Sequence, residues 1–147
     1  MVSPSAIGLR MPTYSIEVER GQLRLFAKAT GQTDPVYWNE EAARAAGHPD
    51  LPIPPTYLFC LELSGSDPQV LRDRLGIDVS RILHGEQRFR YHRLAHAGDT
   101  LSFSQRVADV YQKKDGALEF VVRHTAVTDG AGHPVADLIA TTVIRND

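Results

Sequence analysis

Residues 82–145 carry four strand-like runs in succession, and no other feature restricts the fold as much. The runs are Ile82–Arg93, Thr100–Gln112, Ala117–Thr128 and Val135–Arg145. Glycine and aspartate punctuate them at Ala97-Gly98-Asp99, Lys114-Asp115-Gly116 and Asp129-Gly-Ala-Gly132, as turns require. A two-residue period shows in Leu101, Phe103 and Val107, and again in Val135, Ile139 and Val143. Such connections make neighbouring strands antiparallel. A sheet of this size with one apolar face must be covered by another layer.

The first half of the chain supplies the cover. Tyr14–Val18 alternates like a half-buried strand. Leu23, Phe26 and Ala27 then recur at helical spacing, which predicts a helix over 20–30 with Gly31 as its stop. Asn39 is placed to cap a short helix that ends at Gly47. Prolines at 49, 52, 54 and 55 exclude regular structure and stiffen the next segment. The run Thr56-Tyr-Leu-Phe-Cys-Leu-Glu-Leu-Ser64 is nearly all apolar. Periodicity alone leaves helix and buried strand both open there. Pro55 ahead of Thr56, a cap residue, favours helix. A further helix over 68–75 should end at Gly76. The expected architecture is α+β, a hot-dog fold in which an antiparallel sheet wraps a central helix at about 56–66. Its free edges invite pairing into a double hot-dog dimer. Residues 1–12 read as a loose, flexible arm and residues 13–147 as one domain.

Composition removes several function classes. The net charge of −2 offers no general field for nucleic acid. Cys60 is the single cysteine, so no disulfide forms within the chain. Neither a secretory signal nor an apolar membrane span is visible, which points to a cytoplasmic protein. No His/Cys/Asp/Glu set has metal-ligand spacing, and no metal is expected.

Several residues are nonetheless capable of chemistry. Asp34 is a base candidate or an Asp-Pro turn starter bonded to its own backbone. Tyr37 is a proton donor or a rim aromatic, with Trp38 covering apolar surface beside it. His84 and His92 share a strand face with Glu86, Arg88 and Arg90, pointing away from the helix unless Gly85 forms a bulge. Arg88, Arg90 and Arg93 are candidates for coenzyme phosphate or simply a charged outer face. His48 and His96 read as solvated loop residues. Cys60 reads as a small core residue. Glu62 is the one carboxylate of the apolar run, either an apolar-site carboxylate of the kind a hot-dog thioesterase would use or part of a surface-facing stripe.

Two motifs carry a resemblance. Phe26-Ala-Lys-Ala-Thr-Gly-Gln-Thr-Asp-Pro-Val-Tyr37, Glu41–Gly47 and Pro54-Pro-Thr-Tyr57 form the first. Leu83-His-Gly-Glu-Gln-Arg-Phe-Arg-Tyr-His-Arg93 with Ala97-Gly-Asp-Thr100 forms the second. Over residues 13–145 the chain resembles the N-terminal-type domain of MaoC-like dehydratases. The resemblance implies an enoyl-CoA hydratase or 3-hydroxyacyl-thioester dehydratase of fatty acid metabolism, a lyase without a separate cofactor. Coenzyme A or acyl carrier protein would carry the acyl group. It also implies substrate contacts at Gln32, Pro35, Tyr37, Trp38 and Tyr57.

Catalytic members carry Gly-Asp-x-Asn-Pro-aliphatic-His. Here Gly31, Pro35 and Val36 match, but Gln32 stands for the Asp, Asp34 for the Asn and Tyr37 for the His. Glutamine does not titrate and tyrosine does so only near pH ~10. No catalytic pair is therefore intact. The expected role is a non-catalytic or weakly catalytic subunit, as a homodimer or as a heterodimer with a catalytic MaoC-like subunit. Open alternatives are a self-sufficient enzyme with its base relocated to Asp34 or His84, a non-enzymatic acyl-CoA binder, and a hot-dog thioesterase.

Overall fold

The structure, a computed structural model, describes residues 1–146. Five strands, β1 (Tyr14–Glu17), β2 (Ile82–Tyr91), β3 (Thr100–Lys113), β4 (Leu118–Thr128) and β5 (Pro134–Arg145), form one sheet in the order β1-β3-β4-β5-β2. Every pairing is antiparallel. The helices are α1 (Arg20–Ala29), α2 (Glu40–Ala45), α3 (Tyr57–Gly65) and α4 (Pro68–Leu75). This is the hot-dog fold, with α3 as the central helix. No helix is long and apolar enough to cross a membrane.

The core forms where α1 and α3 meet the concave face of the sheet. Leu23 and Ala27 of α1, and Leu58 and Leu61 of α3, pack with Phe103, Val127 and Leu138. Burying each leucine removes apolar surface from water for about 1.5–3 kcal/mol. Thr56 occupies the N-cap position of α3, but its side chain makes no capping bond. The Pro54 carbonyl accepts the Tyr57 amide instead, at 3.0 Å. Asn39 does cap α2, its Oδ1 accepting from the Ala42 amide at 2.9 Å. Gly31 ends α1 with φ +67°, a conformation that suits glycine.

Two expectations change. The strand after α4 does not lie beside the next strand in sequence. Residues 92–99 carry the chain across the molecule, because that connection bonds to the proline-rich segment and to Val18. Ile53 donates to the Ala95 carbonyl at 2.9 Å, Ala97 to Leu51 at 2.9 Å and Gly98 to Val18 at 2.8 Å. β2 therefore forms a free edge of the sheet. The expected loose arm is also bonded. Gly8 and Met11 donate to the carbonyls of Val107 and Gln105, and Val107 donates to Leu9, each at 2.9 Å. Val2 is buried with Val107, Val121 and Ile144, and its amide donates to Glu119 Oε1 at 2.9 Å. Residues 1–11 thus form a strap along β3. The unpaired backbone of β3 beyond β1 and the apolar Val2 provide the reason.

The proline-rich segment is tied to α1 by a bidentate pair. Arg20 Nε and Nη2 donate to Asp50 Oδ1 and Oδ2 at 3.0 and 2.5 Å. The Arg20 guanidinium holds the Asp50 carboxyl down to about 2. A carboxyl lowered on folding contributes stability above its unfolded value, and the contribution is lost as pH falls toward its folded value. The melting temperature of the protein should thus drop between about pH 4 and pH 2. Asp50→Asn should flatten that limb of the profile, read by circular dichroism melts. Solvent screening at the exposed Arg20 keeps the effect small.

Candidate functional site

The turn after α1 is closed on itself. Gln32 Oε1 accepts the Asp34 amide at 3.1 Å, and Asp34 Oδ1 accepts the Val36 amide at 3.1 Å. Pro35 starts a single 3-10 turn over 35–37, whose carbonyl takes the amides of Trp38 and Asn39 at 3.1 and 2.8 Å. Asp34 is placed as an Asp-Pro turn starter. Tyr37 is half-buried. Trp38 is 42% exposed, and its carbonyl accepts Arg24 Nε at 3.1 Å. Tyr57 is buried and meets the Phe26 ring edge-on at 5.1 Å, so it is core wall rather than pocket rim.

A cavity of about 320 Å³ lies elsewhere, between the α3–α4 hairpin and the concave sheet face. Leu63, Val70, Leu71, Ile77, Ile82 and Val121 give it apolar walls. Its polar part includes Tyr14, Glu62, Gln105 and Arg123, with Ser66, Asp67, Arg72 and Thr142 also among its lining. None of Gln32, Pro35, Tyr37, Trp38 or Tyr57 lines it. Glu62 is only 3% exposed, so the surface-stripe account of this residue is wrong. Its Oε1 accepts from Thr125 Oγ1 at 2.5 Å and from Gln105 Nε2 at 3.0 Å. The Tyr14 hydroxyl donates to the Glu62 backbone carbonyl at 2.8 Å, and its ring stacks on Phe103 at 5.2 Å. Burial pushes the Tyr14 phenol up, and the Glu62 charge adds to it. Burial pulls the Arg123 guanidinium down, against the attraction of Glu62 and Tyr14. Arg123 Nε is enclosed and finds no hydrogen-bond partner among the described residues.

This polar set was within reach of the sequence. Val121, Arg123, Thr125 and Val127 alternate on one face of β4, so the charge and the hydroxyl stand among core residues. Glu62 interrupts an apolar helix. What the sequence does not show is that α3 and β4 meet at that point.

The histidines divide. A bulge between His84 and Glu86 turns His84 toward α3, where it meets Phe59 edge-on at 5.4 Å. The bulge left open at Gly85 is thus present, and His84 departs from the outward direction of an unbroken strand. His92 and His124 flank Asp137 on the outer face, Nε2 to Oδ2 at 2.7 Å and Nε2 to Oδ1 at 2.8 Å. Burial opposes ionisation of Asp137, but the two imidazoles outweigh it and hold its carboxyl below the usual range. His48 and His96 are not solvated singly: Nδ1 and Nε2 lie 3.2 Å apart. Arg88 pairs with Glu86 at 2.6 Å, and Arg93 pairs with Asp129. These pairs occupy two of the three arginines considered for phosphate. Cys60 is half-buried, and burial pushes its thiol up, away from reactivity.

Residues 5–138 match the family described as FAS1-like, dehydratase domain region. The chain is 39% identical over 136 residues to a UPF0336 protein of Leifsonia xyli subsp. xyli, covering 92% of this chain and 90% of that one. Among solved structures it is similar to the C-terminally truncated HadBC (3R-hydroxyacyl-ACP dehydratase) complex of Mycobacterium tuberculosis. That likeness has a TM-score of 0.79 and 28% identity, over 94% of this chain and 96% of that chain. A MaoC-like dehydratase superposes with a TM-score of 0.85 at 22% identity, covering 97% of this chain and 43% of that chain, which is a likeness of fold.

Proposed function

Because the chain belongs to the MaoC-like hot-dog dehydratase family, we propose that it is the acyl-holding subunit of a 3-hydroxyacyl-thioester dehydratase. In this reading a second hot-dog subunit supplies the acid and base. The observation that carries the reading is the turn at 31–37, whose amide and carboxylate groups are used on its own backbone. Dehydration needs a proton removed beside the thioester carbonyl and one delivered to the leaving hydroxyl. Groups for both tasks must titrate near working pH. Gln32 cannot, and Tyr37 is a poor substitute.

Two further features support a partner-dependent subunit. One similar solved structure, HadBC, is itself a 3R-hydroxyacyl-ACP dehydratase complex. On this chain β2 is a free edge with Leu83 and Tyr91 exposed. A second sheet edge would pair the free backbone groups of that strand. The cavity under α3–α4 then receives the acyl chain of a coenzyme A or carrier-protein thioester. This reading expects a cytoplasmic protein, where Cys60 stays reduced.

One experiment separates the possibilities. The chain is purified alone, and again after co-expression with a hot-dog protein that retains the Asp and His of the family pattern. Native mass spectrometry reads the assembly, and crotonyl-coenzyme A hydration reads the activity. A heteromer should form, and the chain alone should be slower than it by at least about 10²-fold, since each positioned acid–base group supplies about 10²–10⁴-fold. Equal rates for the chain alone would overturn the proposal. The bulge that turns His84 toward α3 favours a second reading, in which this histidine serves as a relocated base. His84→Ala would then abolish turnover by the isolated chain.

A further inference from the structure

We infer that α4 is a lid over the α3–α4 cavity, latched to the N-terminal strap by Arg74. The lid rests on the geometry of the cavity, and only the acyl chain it closes over rests on the proposed function.

The two walls of the cavity are held very differently. Pro68, Val70, Leu71 and Arg72 of α4 line it, yet no residue of that helix is buried. Val121, on the sheet floor, lines the same cavity and is fully enclosed. A space of about 320 Å³ leaves the apolar residues around it without packing partners on one side. Leu71 and Leu75 are only partly buried, against the small cluster of Val2, Val107, Val121 and Ile144. The weakly held wall is therefore the helix.

α4 is also closed on itself. Asp67 caps it, its Oδ1 accepting from the Gln69 amide at 2.8 Å, with Pro68 in the first turn. Gly76 ends it at φ +64°, and the Gly76 and Ile77 amides return to the carbonyls of Asp73 and Arg72 at 3.3 and 2.9 Å. The Gln69 side chain bonds Asp73 and Arg72 within the helix. Among the described residues one hydrogen bond leaves α4: Arg74 Nη1 donates to the Arg10 carbonyl at 3.1 Å. That carbonyl lies in the strap, which β3 holds through the neighbouring Met11 amide. A helix with its own caps swings as a unit without exposing unpaired backbone groups. Only the Arg74 bond and the contacts of Leu71 and Leu75 have to open. Lids are drawn from elements held this lightly. Closure over an alkyl chain would give Val70 and Leu71 the contacts they lack.

The test reads access to the cavity floor by thiol labelling of the full chain. Val121→Cys is placed in a Cys60→Ser background, and Val127→Cys, in the core away from the cavity, is the control. Labelling of an enclosed thiol tracks the population in which its cover is open. One hydrogen bond is worth about three- to tenfold in such an equilibrium. Arg74→Met should therefore speed labelling of Val121→Cys by about three- to tenfold and leave Val127→Cys unchanged. Saturating dodecanoyl-coenzyme A should slow the Val121→Cys reaction by about tenfold. Equal labelling with and without Arg74 overturns the lid, and protection by dodecanoyl-coenzyme A then leaves the acyl-holding role standing. An equal rise at Val127→Cys also overturns it, since the whole fold has then loosened. If Arg74→Met speeds labelling but dodecanoyl-coenzyme A leaves it unchanged, the lid stands and the acyl-holding role falls. Thr142→Cys, which also lines the cavity, gives the same comparison if Val121→Cys does not fold.

Discussion

Replacing Glu62 by alanine should lower stability by about 3–5 kcal/mol. Three losses act together. Thr125 Oγ1 and Gln105 Nε2 lose their common acceptor, and each unmet buried donor costs about 1–3 kcal/mol. The guanidinium of Arg123 also loses the attraction of a carboxylate that favours its charge. The excised side chain also leaves a void on the cavity wall. In a chain of this size the melting temperature should fall by about 10 °C or more. The double variant Glu62→Ala/Arg123→Met isolates the electrostatic part. It should be more stable than the sum of its single changes, because the orphaned charge is gone. Strict additivity in urea or thermal unfolding would show that Glu62 acts only through Thr125 and Gln105.

Gly65→Ala should be nearly as damaging, at about 3 kcal/mol. A Cβ at this position would overlap Cδ2 and Cε2 of the Tyr14 ring. The ring cannot step aside easily. It stacks on Phe103 at 5.2 Å with an interplanar angle of 3°, and its hydroxyl is bound to the Glu62 carbonyl. Overpacking of a fixed neighbour typically costs about 1–3 kcal/mol, and here the displaced ring also loses its hydrogen bond. On an open helix surface the same change would gain up to about 1 kcal/mol. The check is therefore the Tyr14→Ala background. There Gly65→Ala should become neutral or stabilising in thermal melts. A persistent loss would mean that the helix end, not the ring, needs glycine.

How much of this was legible follows from what each signal measures. The strands of the second half were readable because period and punctuation are local properties, and at 57–65 only the punctuation at Pro55 and Thr56 favoured a helix. The place of β2 was not. Turn length says that two strands run antiparallel, but not that residues 92–99 bond to Leu51, Ile53 and Val18 and carry the chain to the far edge. The strap at 1–11 was missed for a similar reason. Its apolar residues are scattered, and only the bare flank of β3 gives them partners. His84 was misdirected by one residue, since the bulge at Gly85 reverses the face of everything before it. The backbone turn at Asp34-Pro35 was readable, since Asp-Pro and Gly carry their own geometry. The polar cavity needed knowledge of a contact between Glu62 and Thr125, 63 positions apart.

The strap also bears on the order in which the protein can assemble. Val2 is held by Glu119, 117 positions later, and Leu9 by Val107. As the chain leaves the ribosome, its first residues have no partner until β3 and β4 exist. β1 waits likewise, since its only neighbour in the sheet is β3. Residues 1–17 are thus made before the strands that hold them and find their place after those strands. Contacts of such separation slow folding, because a large loop must close before any of them forms. The chain closes from its far end backward, and residues 1–17 complete the sheet only after β3, their support, is in place.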